Sequence, residues 1–498
     1  MRYRSVFSFA GATLISRILG LLREAGIAYL LGAGRFSDVF YVAFRIPNYL
    51  RDILAENAMQ TAFVPVFVKT LKDRRRSHRF FALAIVLFVG SATVLALLGI
   101  LLAPLWVSAT AYGFRQIPEK FALTVSLTRW MFPYLVLVSL AAVFGATLNA
   151  LRRFFWPALS PAFFNLGVLA AIGFAAVLHP VPQRALWIVA LGVLAGGFLQ
   201  AAVQAPLLHR LGIRWQRPDF HEPLLQDLKK LLAPVMLSTA LSRLTLIINT
   251  LVASFLVEGA VSYLSYAFRL MHLPIALFGV GVATVSLPEL ASHSDDPEAF
   301  RRELWRAVRG VLLLSVPVTL YFLAEAHDIV AVVYQRGHFT GAATWAVTQA
   351  LVFYLLNVVP YGLVRVNLNV FFARSEIFWP NVAFAVGAAT NVVLALTLPR
   401  FLDFAGLALA TSLATTVQAL VLMAARCRRV RLPKEALPWT LRLLVASLVP
   451  LAFLLPLHPA SPWLSLLITA AVYFGGFGIL AVLLRLEHFA SLLGRSGR

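Results

Sequence analysis

Apolar runs of about 20 residues, the length a helix needs to cross a hydrocarbon core, recur along the whole of this 498-residue chain. In lipid the backbone must satisfy its own hydrogen bonds, which restricts such runs to spanning helices. Reading them by length and hydrophobicity gives about fourteen spans, at 6–32, 37–68, 80–109, 121–150, 156–178, 185–208, 232–256, 259–288, 304–334, 342–373, 378–399, 404–425, 436–457 and 463–485. The chain is 60% hydrophobic and only 13% charged, with a mean hydropathy of +0.83, which excludes a soluble globular domain. The first run is too long and too polar for a cleaved signal peptide and lacks a small-residue cleavage site, so it counts as a span. The expected fold is an all-α integral membrane protein with about fourteen transmembrane helices.

The surplus of positive charge orients the chain. With the N-terminus inside, the basic clusters Lys69–Arg79, Arg152–Arg153, Arg210–Lys230, Arg301–Arg309 and Arg426–Lys434 all fall in cytoplasmic connections. About 28 Lys and Arg lie on that side and about 6 outside, a positive-inside signature that places both termini in the cytoplasm. The net charge of +22 is then mostly topology, and short juxtamembrane clusters argue against nucleic acid as a partner. Cys427 is the single cysteine, so no disulfide and no metal-site spacing exists. No GxxxxGK[ST], HExxH or GxSxG motif occurs, and no connection is long enough for a nucleotide-binding domain. Secondary transport is the expected class, without enzyme activity or cofactor.

The chain also repeats itself. SRILGLLREAGIAYLLGAGRFSDVFYVAFR from Ser16 and SRLTLIINTLVASFLVEGAVSYLSYAFR from Ser242 both open on Ser-Arg and close on Ala-Phe-Arg, pairing Arg17 with Arg243 and Arg45 with Arg269. FFWP at Phe154–Pro157 recurs as IFWP at Ile377–Pro380 at nearly the same offset. The pattern implies duplication of a six-helix unit, related by a pseudo-twofold along the membrane normal because six is even. The expected divisions are an N-lobe at 1–230, a C-lobe at 231–430, and 431–498 carrying the last two helices as a lipid-tail groove with a cytoplasmic tail.

Eight arginines interrupt the apolar stretches: Arg17, Arg23, Arg45, Arg51, Arg129, Arg243, Arg269 and Arg365. Each costs roughly 2.5–3.5 kcal/mol near the bilayer centre unless it faces a polar interior. On the first span Arg17 and Glu24 share a face, with Gly20 between them and Arg23 on an adjoining face. On the second, Asp38, Tyr41, Arg45, Asn48, Asp52 and Glu56 follow helical spacing as an inward polar stripe, with Arg51 off it. Arg243, Thr245 and Asn249 mark the seventh span, and Arg269 with His272 the eighth. Arginine stays charged and makes bidentate hydrogen bonds, so a cavity lined by it suits a phosphate-bearing substrate. The structural alternative pairs Arg45 with Asp38 or Asp52 and leaves Arg129 and Arg365 on backbone carbonyls or snorkelling. Inside the stretches the cations read as arginine without lysine.

These same residues carry a family resemblance. SRILGLLREAGIAYLLGAGRFSDVFYVAFRIPNYLRDILAENAMQTAFVPVF resembles the N-terminal signature of the MviN/MurJ lipid II flippases. SYAFRLMHLPIALFGVGVATVSLPEL is similar to that family's eighth helix, and QRGHFT, FFAR and GLALATSLA fall where its later motifs do. The resemblance spans nearly the whole chain. It implies a member of the multidrug/oligosaccharidyl-lipid/polysaccharide exporter superfamily, in the bacterial cytoplasmic membrane. Its substrate would be an undecaprenyl-pyrophosphate-linked peptidoglycan precursor, moved to the outer leaflet by alternating access. Cell-wall synthesis enzymes are the implied protein partners.

The resemblance further implies that Arg17, Arg23, Arg51 and Arg269 bind substrate and that Asp38 is the family's second-helix acid. Glu24 stands for the usual Asp, Asp52 for a second Arg, and Asn57 and Met59 for the Gly and Phe of FAEGAF. Phe268 and His272 replace acids around Arg269, and Asn249 stands where some members carry a sodium-binding Asp. Coupling to membrane potential, Na+ or H+ is therefore expected to draw on Glu24, Asp38, Arg45, Asp52, Glu56, Asn249 or His272. Two alternatives stay open: a flippase for another polyprenyl-linked saccharide, and an inactive, scaffold-like paralogue.

Overall fold

The computed structural model describes residues 3–56, 59–275, 280–293, 296–374, 376–428, 430–454 and 461–486, which are helical almost throughout, with no strand among them. Eleven helices among the described residues are long and apolar enough to cross a membrane: Arg74–Leu101, Pro118–Ala150, Phe155–Leu178, Pro182–Arg210, Leu224–Ala253, Pro297–Ala324, Gly341–Phe372, Phe378–Thr397, Pro399–Cys427, Ala436–Phe453 and Pro462–Leu483. Each overlaps an expected span. The expected spans outside that set, 6–32, 37–68 and 259–288, are those bearing Arg17, Arg23, Arg45, Arg51 and Arg269. The first is one helix, Tyr3–Leu31. The second holds Pro47 within Arg35–Arg51, then opens into wide π turns at Asp52–Glu56 and Met59–Phe63 before Val64–Thr70. The third is described as Ala260–Pro274 and Val280–Ser292. Length and apolarity thus pick out eleven spans among the described residues, and the second and third of the remaining expected spans are interrupted helices.

The chain packs as two compact units, Met1–Ser262 with Arg336–Thr340, and Tyr263–Gln335 with Gly341–Arg498. In the first, Phe155–Leu178 and Pro182–Ala202 approach backbone to backbone. A Cβ on Gly167 would meet the Gly196 Cα at 2.6 Å, the small-residue contact typical of helices packing in lipid. A stacked cluster of Phe63, Phe67 and Phe80 fills another part of this unit. The 336–340 segment is held on the end of the first helix: His338 N donates to Tyr29 O at 3.0 Å. Gly32 at φ +66° faces His338 O, where any Cβ would fall 2.5 Å away, so both conformation and space require glycine.

In the second unit the core gathers Phe300, Leu304, Trp305, Val311 and Trp439, with Trp305 and Trp439 edge to face at 5.4 Å. The last two helices belong here: Tyr473 Oη donates to Ser447 O at 3.0 Å, and Tyr473 packs on Tyr321 at 5.5 Å. The two Phe-Trp-Pro motifs occupy the same local setting. Each opens a helix, Phe155–Leu178 and Phe378–Thr397. Their Phe–Trp pairs cross edge to face at 5.6 Å and 80°, and at 5.4 Å and 79°. Proline belongs in a first helical turn because its missing N–H has no partner to lose there.

Candidate functional site

Three networks among the described residues of the first unit hold the charged residues of its expected spans. The first is built on Arg23, which is 8% exposed. Its Nη2 donates to Glu24 Oε1 at 2.5 Å and its Nη1 to Asn165 Oδ1 at 3.0 Å. Tyr41 Oη donates to Glu24 Oε2 at 2.6 Å, and Asn165 Nδ2 ties the group to Ser16 O at 3.0 Å. The guanidinium also lies 5.4 Å from the Phe164 ring centroid, a cation–π contact that compensates part of the desolvation. Adjacent positions on a helix ordinarily diverge, yet Arg23 and Glu24 meet because the arginine stem is long enough to turn back. A small cavity against the network is lined by Arg23, Glu24, Tyr41, Phe44 and Phe164 among others.

The second network centres on Asp52, the first residue of the π turn after Arg35–Arg51. Arg51 Nη2 and Nε donate to Asp52 Oδ1 at 2.7 and 3.1 Å. Arg243 Nη2, on Leu224–Ala253, pairs with Oδ2 at 3.0 Å. One carboxylate therefore bridges two guanidiniums from different helices. On the same helix as Arg243, Thr250 Oγ1 accepts from Arg45 Nη1 at 2.8 Å.

The third network lies around Asp38, 1% exposed. Lys120 Nζ donates to Oδ2 at 2.8 Å, while the backbone N–H groups of Gly259 and Ser262 donate to Oδ2 and Oδ1, both at 2.9 Å. Those two amides are at the start of Ala260–Pro274, where a helix has N–H groups without an internal partner and a positive dipole end. Asp38 thus caps a helix from another element. Lys120 is itself buried, with Nζ 4.1 Å from the Phe114 ring centroid.

Several expectations change here. Arg45 bonds Thr250, and the carboxylates expected for it are held instead by Lys120, Arg51 and Arg243. The second-helix stripe is not one network: Asp38, Tyr41, Arg45 and Asp52 bond Lys120, Glu24, Thr250 and Arg51 with Arg243 respectively. Lys120 is a buried cation that reads in sequence as an outer flank of span 121–150; its signal was position, three residues into a helix opened by proline. Asn165, mid-span in Phe155–Leu178, was also missed, since a lone Asn in an apolar run gives no hint of its partner. Gly20 does not mark the close approach on the first helix; Gly26 does, where a Cβ would meet Ile172 at 2.9 Å.

Arg17 is exposed and makes no ion pair or side-chain hydrogen bond among the described residues. In the second unit Arg269 is exposed, and His272 Nδ1 lies 2.9 Å from Phe268 O. Asn249 is buried on Leu224–Ala253. Arg129 Nε donates to the Ile100 carbonyl at 3.3 Å, as the structural alternative has it. Arg365 instead reaches the Tyr361 hydroxyl, at 2.8 Å from Nη2. Glu56 and Asn57 lie outside the residues whose side chains are described.

The sequence model for the lipid II flippase MurJ family matches residues 27–470. This chain belongs to that family. It is 36% identical to a probable lipid II flippase MurJ of Rhizobium meliloti over 430 residues, 83% of this chain and 78% of that protein. The lipid II flippase MurJ of Burkholderia cenocepacia is 34% identical over 432 residues, covering 84% and 83%. Among solved structures, lipid II flippase MurJ in an inward closed conformation superposes with a TM-score of 0.83 at 25% identity, covering 98% of this chain and 99% of that one. An inward-facing MATE transporter of the MOP superfamily shares the fold with a TM-score of 0.66 at 14% identity. The family match contains Asp38, Arg51, Asp52, Lys120, Arg243 and Arg269; Arg17, Arg23 and Glu24 precede it.

Proposed function

We propose that this chain is a lipid II flippase. It carries a polyprenyl-linked glycolipid from the cytoplasmic to the outer leaflet by alternating access. The observation that carries the reading is the family match over residues 27–470. The arrangement of cations supports it: Arg17 is exposed, Arg51 and Arg243 converge on one carboxylate, and Arg269 is exposed on its own helix. Guanidiniums on membrane helices match a diphosphate through paired hydrogen bonds, which a lysine ammonium cannot supply.

In this reading Arg17, Arg51 and Arg269 hold the head group, and Arg23 joins them when its pair with Glu24 opens. The distribution of Lys and Arg supports a bacterial inner-membrane topology with both termini in the cytoplasm. Moving an anion outward across an inside-negative potential gains about 2.3 kcal/mol per charge per 100 mV. Coupling to that potential needs no resident ion. A Na+ or H+ step would draw on Glu24, Asp38, Arg45, Asp52, Glu56, Asn249 or His272. The halves 1–230 and 231–430 are proposed to descend from one duplicated six-helix bundle, as the matched Phe-Trp-Pro helix starts support.

The test is rescue of a flippase-depleted cell. Arg17→Ala and Arg269→Ala are expected to insert in the membrane at wild-type level and fail to rescue growth, with Arg→Lys at either position failing too. Normal growth on either alanine variant overturns the assignment of that arginine.

A further inference from the structure

We propose that Asp52 is a specificity-determining residue: its carboxylate competes with the substrate for Arg51 and Arg243, so a diphosphate lipid is accepted and a monophosphate lipid is refused. The inference rests on the lipid-diphosphate reading above. Its basis is the bridge itself. Arg51 uses two nitrogens on Oδ1, at 2.7 and 3.1 Å, and Arg243 takes Oδ2 at 3.0 Å. The three side chains differ in access. Asp52 is 10% exposed, whereas Arg51 and Arg243 retain 28% and 32%. An arriving anion therefore meets the guanidiniums rather than the carboxylate between them.

The wide π turn that begins at Asp52 sets the carboxylate against the neighbouring Arg51, and it stays there at high effective concentration. A monophosphate offers one anionic group against that resident competitor. A diphosphate can present one phosphate to each guanidinium and form charge-assisted bonds with both. With Asp52 present, the trio carries a single net positive charge, and binding must come from matched geometry rather than bulk attraction. Asp52 also prevents an unrelieved pair of cations from holding the product too tightly to release.

The experiment measures binding of two lipids of equal chain length, a polyprenyl diphosphate and a polyprenyl monophosphate, to the full-length protein in nanodiscs. Asp52→Asn keeps the shape and removes the charge. It is expected to bind both lipids more tightly and the monophosphate most of all, lowering the selectivity ratio about tenfold. Asp52→Glu is expected to keep the ratio. An unchanged ratio in Asp52→Asn, with diphosphate binding by the wild type intact, overturns the inference alone. A wild-type chain that binds no diphosphate lipid overturns the functional reading and this inference together. If Asp52→Asn does not fold, Arg243→Gln serves instead: it must weaken the diphosphate more than the monophosphate, and equal weakening overturns the proposal.

Discussion

Replacing Lys120 with methionine keeps the length of the side chain and deletes the charge that faces Asp38. Two ion pairs in the same unit allow the consequence to be scaled. Lys120–Asp38 is 2.8 Å long with side chains 4% and 1% exposed; Lys69–Asp227 is 2.9 Å long with side chains 57% and 44% exposed. Geometry is almost shared, so environment decides. At that separation the attraction is about 1.5 kcal/mol in a water-like dielectric and about 6 kcal/mol at an effective dielectric near 20. Desolvation offsets much of the larger figure, and breaking a buried pair from one side costs about 3–5 kcal/mol, because the remaining charge is stranded. Among the described residues Asp38 would keep the Gly259 and Ser262 amides alone. Lys69→Met should cost far less, because solvent screens its pair with Asp227. Reversible unfolding in mixed micelles with increasing SDS measures both. Adding Asp38→Asn to Lys120→Met should recover part of the loss, since the stranded charge goes. Equal losses in Lys120→Met and Lys69→Met, or no recovery in the double variant, would refute the reasoning.

Glu24→Gln should destabilise the first unit by a similar 3–5 kcal/mol by stranding buried Arg23, seen as lower membrane yield and earlier SDS unfolding. Arg17→Ala, which removes no partner among the described residues, should stay within about 0.5 kcal/mol while still losing rescue. Gly196→Leu should abolish assembly of the first unit, because a Cβ there already falls 2.5 Å from Phe164 O. Gly173→Ala, with open space around it, should instead stabilise its helix by about 0.5–1 kcal/mol. A melting series on the two glycine variants checks both signs.

Most of the architecture was legible in the linear sequence because the bilayer makes a one-dimensional demand: enough consecutive apolar residues, with basic residues at one end. That demand picks out Pro462–Leu483 as readily as Phe155–Leu178 without knowledge of their neighbours. The repeat was legible for a related reason. Phe-Trp-Pro at a helix start is a local device, and it sits alike at Phe155 and Phe378. The interruptions were less legible: within 37–68 and 259–288 the helices break at wide turns and prolines that a count of apolar residues does not register.

By itself, then, the sequence determined that the chain is helical, spans a membrane many times and carries arginines there, and its motifs determined the family. Which acid answers which arginine was decided only by the tertiary structure. Nothing in the order of Asp38, Asp52 and Glu24 along the chain assigns a partner to any of them. Folding gave them Lys120 with two helix-end amides, Arg51 with Arg243, and Arg23 with Tyr41. The physical reason is range: hydropathy is summed over neighbours in sequence, whereas a charge buried in low dielectric is satisfied only by a partner within about 3 Å. For Asp38 and Lys120 that partner is 82 positions away.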